Sequence, residues 1–170
     1  MNQPLEFRLI ESLDHELRKR LSALLTATVN EGASIGFLAP LEEHTADTYW
    51  ESVPAAGTLL LSAWLNGTLA GSAQLHLCLK ENGLHRAEVC KLMVLPQFRR
   101  KGIARKLMET IHRLAAENGR TLLVLDTRAG DPSNTLYQSL GYVPAGKIPG
   151  YARSSDGQLE ATVLYYKRLD

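Results

Sequence analysis

At 170 residues, with 19 Lys and Arg against 18 Asp and Glu and a formal net charge of +1, the chain is sized for one domain with a real core. So even a balance excludes any general attraction to nucleic acid or to a membrane surface. The opening Met1-Asn2-Gln3-Pro4-Leu5-Glu6 has no secretory pattern and the apolar runs are too short for a bilayer, so a bacterial-style cytoplasmic protein is expected.

Residues 5–10 read as a first strand. Ser12 or Asp14 can cap a helix that carries Leu17, Leu21, Leu24 and Leu25 on one stripe and lasts to about Val29. Residues 31–40 form a loop containing Gly32-Ala33-Ser34-Ile35-Gly36-Phe37, and a second, more polar helix is predicted over 41–53. Residues 58–65 and 68–79, divided by Asn66-Gly67, give a hairpin signal. A turn at Glu81-Asn82-Gly83 leads into a strand over 86–95, stopped by Pro96. The helix after Gly102 puts Ile103, Leu107, Ile111 and Leu114 on one face and ends at Asn118-Gly119. Residues 121–126 are a buried strand. Asp131-Pro132 then supplies an N-cap and a first-turn proline for a short helix to about Leu140, ended by Gly141. Residues 142–150 and 158–169 are the last two strands, joined across Ser154-Ser155-Asp156-Gly157.

Cys78 and Cys90 sit in apolar strand-like runs and read as buried thiols rather than a disulfide. His15, His44, His76, His85 and His112 have no metal-ligand spacing, so no metal is expected. No Gly-x-Ser-x-Gly elbow is present, and spacing supports no Cys/His nucleophile.

The most informative stretch runs from Leu92 to Glu109. The apolar Leu92-Met93-Val94-Leu95 meets Pro96, the basic loop Gln97-Phe98-Arg99-Arg100-Lys101 follows, and Gly102-Ile103-Ala104 opens a long helix. A strand feeding a basic turn and a helix start is an anion site, because the first-turn N–H groups point outward and the helix dipole favours negative charge. Gly102 leaves the backbone bare where a ligand must come close. The guest this predicts is a pyrophosphate. Gly102 is followed by Ile103 and Ala104, with no Lys-Ser/Thr, which excludes a P-loop, and one glycine is too few for a dinucleotide fingerprint.

What remains, Arg99-x-x-Gly102-x-Ala104, resembles the Gln/Arg-x-x-Gly-x-Gly/Ala signature of the GNAT superfamily of N-acetyltransferases, whose loop cradles the pyrophosphate of acetyl-coenzyme A. The resemblance implies an α/β (α+β) fold: a single acyl-CoA N-acyltransferase domain over 1–170, with a mixed, mostly antiparallel sheet and helices on both faces. Gly32-Ala33-Ser34-Ile35-Gly36-Phe37, Arg86-Ala87-Glu88-Val89, Lys91-Leu92-Met93-Val94-Leu95-Pro96, Leu125-Asp126-Thr127 and Pro149-Gly150-Tyr151 resemble, more narrowly, the tabtoxin-resistance acetyltransferases of that superfamily. The basic loop is less glycine-rich than in those enzymes and the N-terminal helices are less similar.

By that resemblance Arg99, Arg100, Lys101, Gly102, Ile103, Ala104 and Arg105 would hold the pyrophosphate of acetyl-CoA, the acetyl donor. The backbone of Leu92, Met93 and Val94 would bond its pantetheine arm. Glu88 and Asp126 would be the catalytic pair, one of them the base. Read from the residues alone, Glu88 could instead pair with Arg86 or Lys91, and Asp126 could cap the following turn. Tyr137, in Leu136-Tyr137-Gln138-Ser139-Leu140-Gly141-Tyr142, resembles the family tyrosine that protonates the leaving thiolate; otherwise it is a core aromatic. Gly130 stands where many members have an asparagine, and Asn134 is the substitute coenzyme contact. The acceptor implied is a small primary amine, a β-lactam toxin foremost, held between the Gly32 to Phe37 loop and Pro149-Gly150-Tyr151, with Phe37 and Tyr151 closing the pocket. The alternatives are another amine (an amino acid, a polyamine or a protein N-terminus) or a non-catalytic acyl-CoA-binding module. Homodimers are common in the family, so pairing is expected by likeness.

Overall fold

Turn and cap chemistry divides the chain much as its sequence predicts. A computed structural model describes residues 4–169; Met1-Asn2-Gln3, read for a signal pattern, lies outside them. The elements are β1 (Leu5–Ile10), α1 (His15–Asn30), α2 (Glu43–Trp50), β2 (Thr58–Leu65), β3 (Thr68–Leu77), β4 (Arg86–Val94), α3 (Ile103–Glu117), β5 (Leu122–Arg128), α4 (Ser133–Ser139), β6 (Val143–Arg153) and β7 (Leu159–Arg168). Asp14, one of the two candidate caps, starts α1 by accepting the Leu17 N–H at 2.7 Å. Asp131 accepts the Ser133 N–H at 2.9 Å, so α4 begins one residue beyond the predicted proline.

The second helix is shorter than predicted. Leu41 is buried, but its N–H bonds the Asn30 side chain at 2.8 Å, so it enters the core from a loop. At the other end Val53 precedes Pro54, a position that disfavours helix. Conversely, β5 runs past Asp126 to Arg128 and β6 past Gly150 to Arg153, because both keep pairing with β7.

One seven-stranded sheet in the order β1-β2-β3-β4-β5-β7-β6 carries the fold. Its neighbours are antiparallel except β4 and β5. On one face α3 lays Ile103, Leu107, Met108, Ile111 and Ala115 on a core shared with Leu61, Leu75, Val89, Leu123 and Leu125. On the other, Leu21, Leu24, Leu25 and Val29 of α1 and Trp50 of α2 cover Leu60, Trp64 and Met93. Helices thus occupy both faces, as expected of this element order. Among the described residues no helix is long and apolar enough to cross a membrane, and both cysteines are free thiols.

Candidate active site

The site begins where the sheet stops being continuous. β4 and β5 pair in parallel only through Arg86↔Leu122, Ala87↔Leu123 and Glu88↔Val124. Past Glu88 each strand follows its other neighbour, β3 or β7, and the two part. The cause is a bulge in β4. Ser72 of β3 pairs with Met93 and Gln74 with Cys90, so two steps of β3 oppose three of β4, and Lys91 sits there with φ at +52°.

The extra residue exchanges the faces of the strand. Before it, Ala87 and Val89 enter the α3 core; after it, Leu92 and Val94 pack there and Met93 joins the α1–α2 core. β3 presses on this outgoing half so closely that a Cβ at Gly71 would lie 2.5 Å from the Met93 carbonyl oxygen.

The parting opens a cleft of ≈ 360 Å³ walled by Glu88, Lys91, Asp126, Tyr137, Tyr151 and Glu160 among others. Glu88 and Asp126 stand on the face turned away from α3, since Ala87, Val89, Leu123 and Leu125 take the α3 side. Among the described residues Glu88 forms no ion pair within 4.0 Å with either Arg86 or Lys91. Asp126 does not cap the next turn; its Oδ2 accepts the Thr162 hydroxyl at 2.9 Å. That hydroxyl is also 2.9 Å from the Thr127 carbonyl and is buried, so β7 orients the carboxylate from beneath.

Tyr137 belongs to the α3-side core and still lines the cleft, because the gap between the strands reaches that layer. Burial, with the Asp131 and Asp126 charges, pushes its phenol pKa well up, so the group stays protonated at any physiological pH. Burial also pushes the nearby Cys90 thiol up to about 12, which leaves it a poor nucleophile.

A second cleft of ≈ 720 Å³ runs over the start of α3. Leu92, Met93, Val94, Arg99, Arg100, Gly102, Ile103, Ala104 and Arg105 line it. The first intrahelical bond is Lys106 N to Gly102 O at 3.1 Å, which leaves the N–H groups of Ile103, Ala104 and Arg105 without helical acceptors. Gly102 has φ at +76° and nothing within 4 Å of where a Cβ would be, so the space above it is open for a ligand. The cations brace the walls. Arg99 pairs with Glu31 at 2.8 Å and Arg105 bonds Ser139 Oγ at 2.6 Å, while the Lys101 ammonium lies 5.5 Å from the Phe98 ring centroid and outside the lining. Ala33, Leu92, Arg128, Asp131 and Ser133 border both clefts, making one continuous channel.

Asn134 takes no part in it. Its amide nitrogen donates to the Arg128 and Asp131 carbonyls at 2.9 and 2.8 Å, and its oxygen accepts from the Tyr165 hydroxyl at 2.7 Å. It is therefore a fastener of the β5–α4 loop, not a wall residue. Phe37 also turns away, packing edge-on against Tyr49 at 5.3 Å in the α1–α2 core, whereas Tyr151 stands at the cleft mouth. The sequence carries no sign of the roles of Arg128 and Thr162 or of the bulge at Lys91. Thr162 gives no local signal, because its partner lies 36 residues earlier.

A family model described as the acetyltransferase (GNAT) family matches residues 23–142. Among solved structures, yncA of Salmonella typhimurium, assigned as an acetyltransferase and determined with its cofactor acetyl-CoA, superposes with a TM-score of 0.80. Its identity is 19%, over 98% of this chain and 94% of that one. A ribosomal-protein-alanine N-acetyltransferase from Brucella melitensis gives 0.79 at 19% identity, covering 96% and 99%. A protein assigned as a phosphinothricin N-acetyltransferase gives 0.82 at 21%, covering 98% and 99%. Identities this low carry the fold and leave the acceptor open.

The geometry makes Gly71 a test of the bulge. Gly71→Ala should destabilise the protein by roughly 1–3 kcal/mol, the usual cost of overpacking, because the backbone it meets cannot turn aside. Urea unfolding with an unchanged midpoint would show that β3 does not hold β4 in this bend.

Proposed function

Since the chain belongs to the acetyltransferase (GNAT) family, we propose that it transfers the acetyl group of acetyl-coenzyme A to the primary amine of a small zwitterionic acceptor. A β-lactam toxin of the tabtoxinine kind is the leading acceptor, and toxin resistance the role. The observation that carries this reading is the continuous channel, which joins the free N–H groups at the start of α3 to two carboxylates where β4 and β5 part.

The residues suit the donor. Its pyrophosphate would rest on the N–H groups of Ile103 to Arg105, where helix polarity and the Arg99–Arg105 cations favour a polyanion. The edge of β4 past Glu88 has no strand partner among the described residues, so the backbone of Leu92 to Val94 can bond the amides of the pantetheine arm. When bound, the donor supplies an acetyl thioester. Glu88 or Asp126, directly or through a water, takes the proton from the attacking amine. A backbone N–H of β4 faces the acyl oxygen as negative charge builds on it. Tyr137 gives its phenolic proton to the departing sulfur, for which burial has kept it protonated.

The acceptor cleft favours a small amine over a protein N-terminus. Its ≈ 360 Å³ is at the small end for ligand sites, and two loops fence it. The Ala39 N–H bonds Ser155 Oγ at 2.9 Å, and Arg128 holds the Gly32 carbonyl at 3.1 Å. We take residues 1–170 as one such domain acting in the cytoplasm. The outer strand β6, exposed along nearly its whole length, is the edge on which a homodimer would form.

Each part has its measurement. Gly102→Val forces a branched side chain into positive φ and into the open space, and should weaken acetyl-CoA binding by more than ~1.4 kcal/mol, a tenfold loss. Calorimetry showing wild-type affinity in the folded variant would remove the pyrophosphate site. Glu88→Gln and Asp126→Asn should each slow thioester consumption by at least ~10²-fold while sparing coenzyme affinity. Wild-type rates in both would return the pair to structural roles. Finally, a toxin-sensitive bacterium expressing the protein should survive the β-lactam, and survival should vanish with Asp126→Asn. Failure to protect, alongside acetylation of some unrelated amine, would remove the toxin and keep the transferase.

A further inference from the structure

Among the described residues Lys91 is the one cation of the acceptor cleft without a partner in the fold. Arg128, the other cation of that wall, is engaged by Asp131 at 3.4 Å and by the Gly32 carbonyl. Among the described residues Lys91 has no carboxylate within 4.0 Å. Its Nζ lies 5.9 and 5.7 Å from the ring centroids of Phe37 and Tyr49, near the outer limit of a cation–π contact, so its three donors are unspent. The same nitrogen would be 3.5 Å from a Cβ at Gly36, which sets it against the 31–40 loop on the cleft wall.

The backbone at this residue deepens the point. Of the three non-glycine residues with positive φ among the described residues, Asn66 sits in a hairpin turn and Arg100 in the helix-entry loop; Lys91 sits inside a strand. Glycine would hold that bend without strain. A lysine kept there at a cost is a candidate for function.

The remaining charges of the cleft complete the pattern. Glu88, Asp126 and Glu160 give it acidic walls, and among the described residues Lys91 is the one lining cation with no carboxylate or carbonyl partner. A cleft so divided suits a molecule that is itself divided, with its amine at the carboxylates and an anion at the other end. We propose that Lys91 binds a carboxylate on the acceptor, so that the enzyme acts on amines that also bear an acid group. This rests on the acetyltransferase reading and assigns the residue that would hold the acid end of its zwitterionic acceptor.

The test is thioester consumption with L-methionine, L-lysine and β-alanine, each beside its own carboxamide. Amide formation also changes amine basicity, so the informative quantity is the acid-to-amide ratio of kcat/KM compared between protein variants. Wild type should prefer the acids, and Lys91→Gln should lower that ratio about tenfold or more, as expected for loss of a charge-assisted hydrogen bond, through KM for the acids. Lys91→Arg should keep most of it. A ratio untouched by Lys91→Gln overturns the proposal and leaves the acetyltransferase standing. If no amine in the panel is acetylated, calorimetry of the acids with coenzyme A present decides: tighter binding by wild type than by Lys91→Gln supports the role, and equal binding overturns it.

Discussion

The whole site depends on β4 being unable to stay beside β5. A strand one residue too long for its antiparallel partner must bend, and the bend at Lys91 carries the second half of β4 away after three parallel pairs. Two consequences follow from that single mismatch. A length of β4 backbone loses a ladder partner and becomes available to an extended ligand, and a gap opens through which side chains of both layers meet. Glu88 arrives from one strand, Asp126 from the other and Tyr137 from the layer beneath, although nothing else in the topology brings them together.

Around that gap the connections serve position more than stability. Arg99 and Glu31 are each nearly half exposed, and such a pair contributes about 0–1 kcal/mol. What it does is hold the end of α1 to the basic loop, just as Arg128 holds the 31–40 loop to the β5–α4 turn and Ser155 holds the same loop to the β6–β7 hairpin. The folding energy lies elsewhere, in the two cores on opposite faces of the sheet. Their separation lets the channel between them stay open without thinning either.

Legibility in the sequence followed the range of each interaction. The caps at Asp14 and Asp131, the Asn66-Gly67 turn and the stripe of α3 are local, and they fixed most elements to within a residue or two. Glu88, Asp126 and Tyr137 are singled out in the sequence by family likeness alone, and the basic turn before α3 by its own chemistry. The bulge stayed hidden because Cys90-Lys91-Leu92 reads as uninterrupted strand, and positive φ at a lysine has no compositional mark. Thr162 and Arg128 stayed hidden because their partners are remote. Asn134 misled for a related reason: a side chain near a loop can as well tie the loop as face the ligand, and only its three bonds show which.

The exchange of faces in β4 also governs which changes of length this chain can survive. Residues before Lys91 face the α3 core at odd positions and those after it at even ones. Deleting one residue there would restore strict alternation and keep Leu92 and Val94 on the α3 side, yet it would remove the bend that carries β4 away from β5 and so close the cleft. Gene variants that gain or lose a codon should therefore be purged at the bulge. Along a lineage, the spacing between Glu88 and Gly102 would be inherited more strictly than most of the residues that fill it.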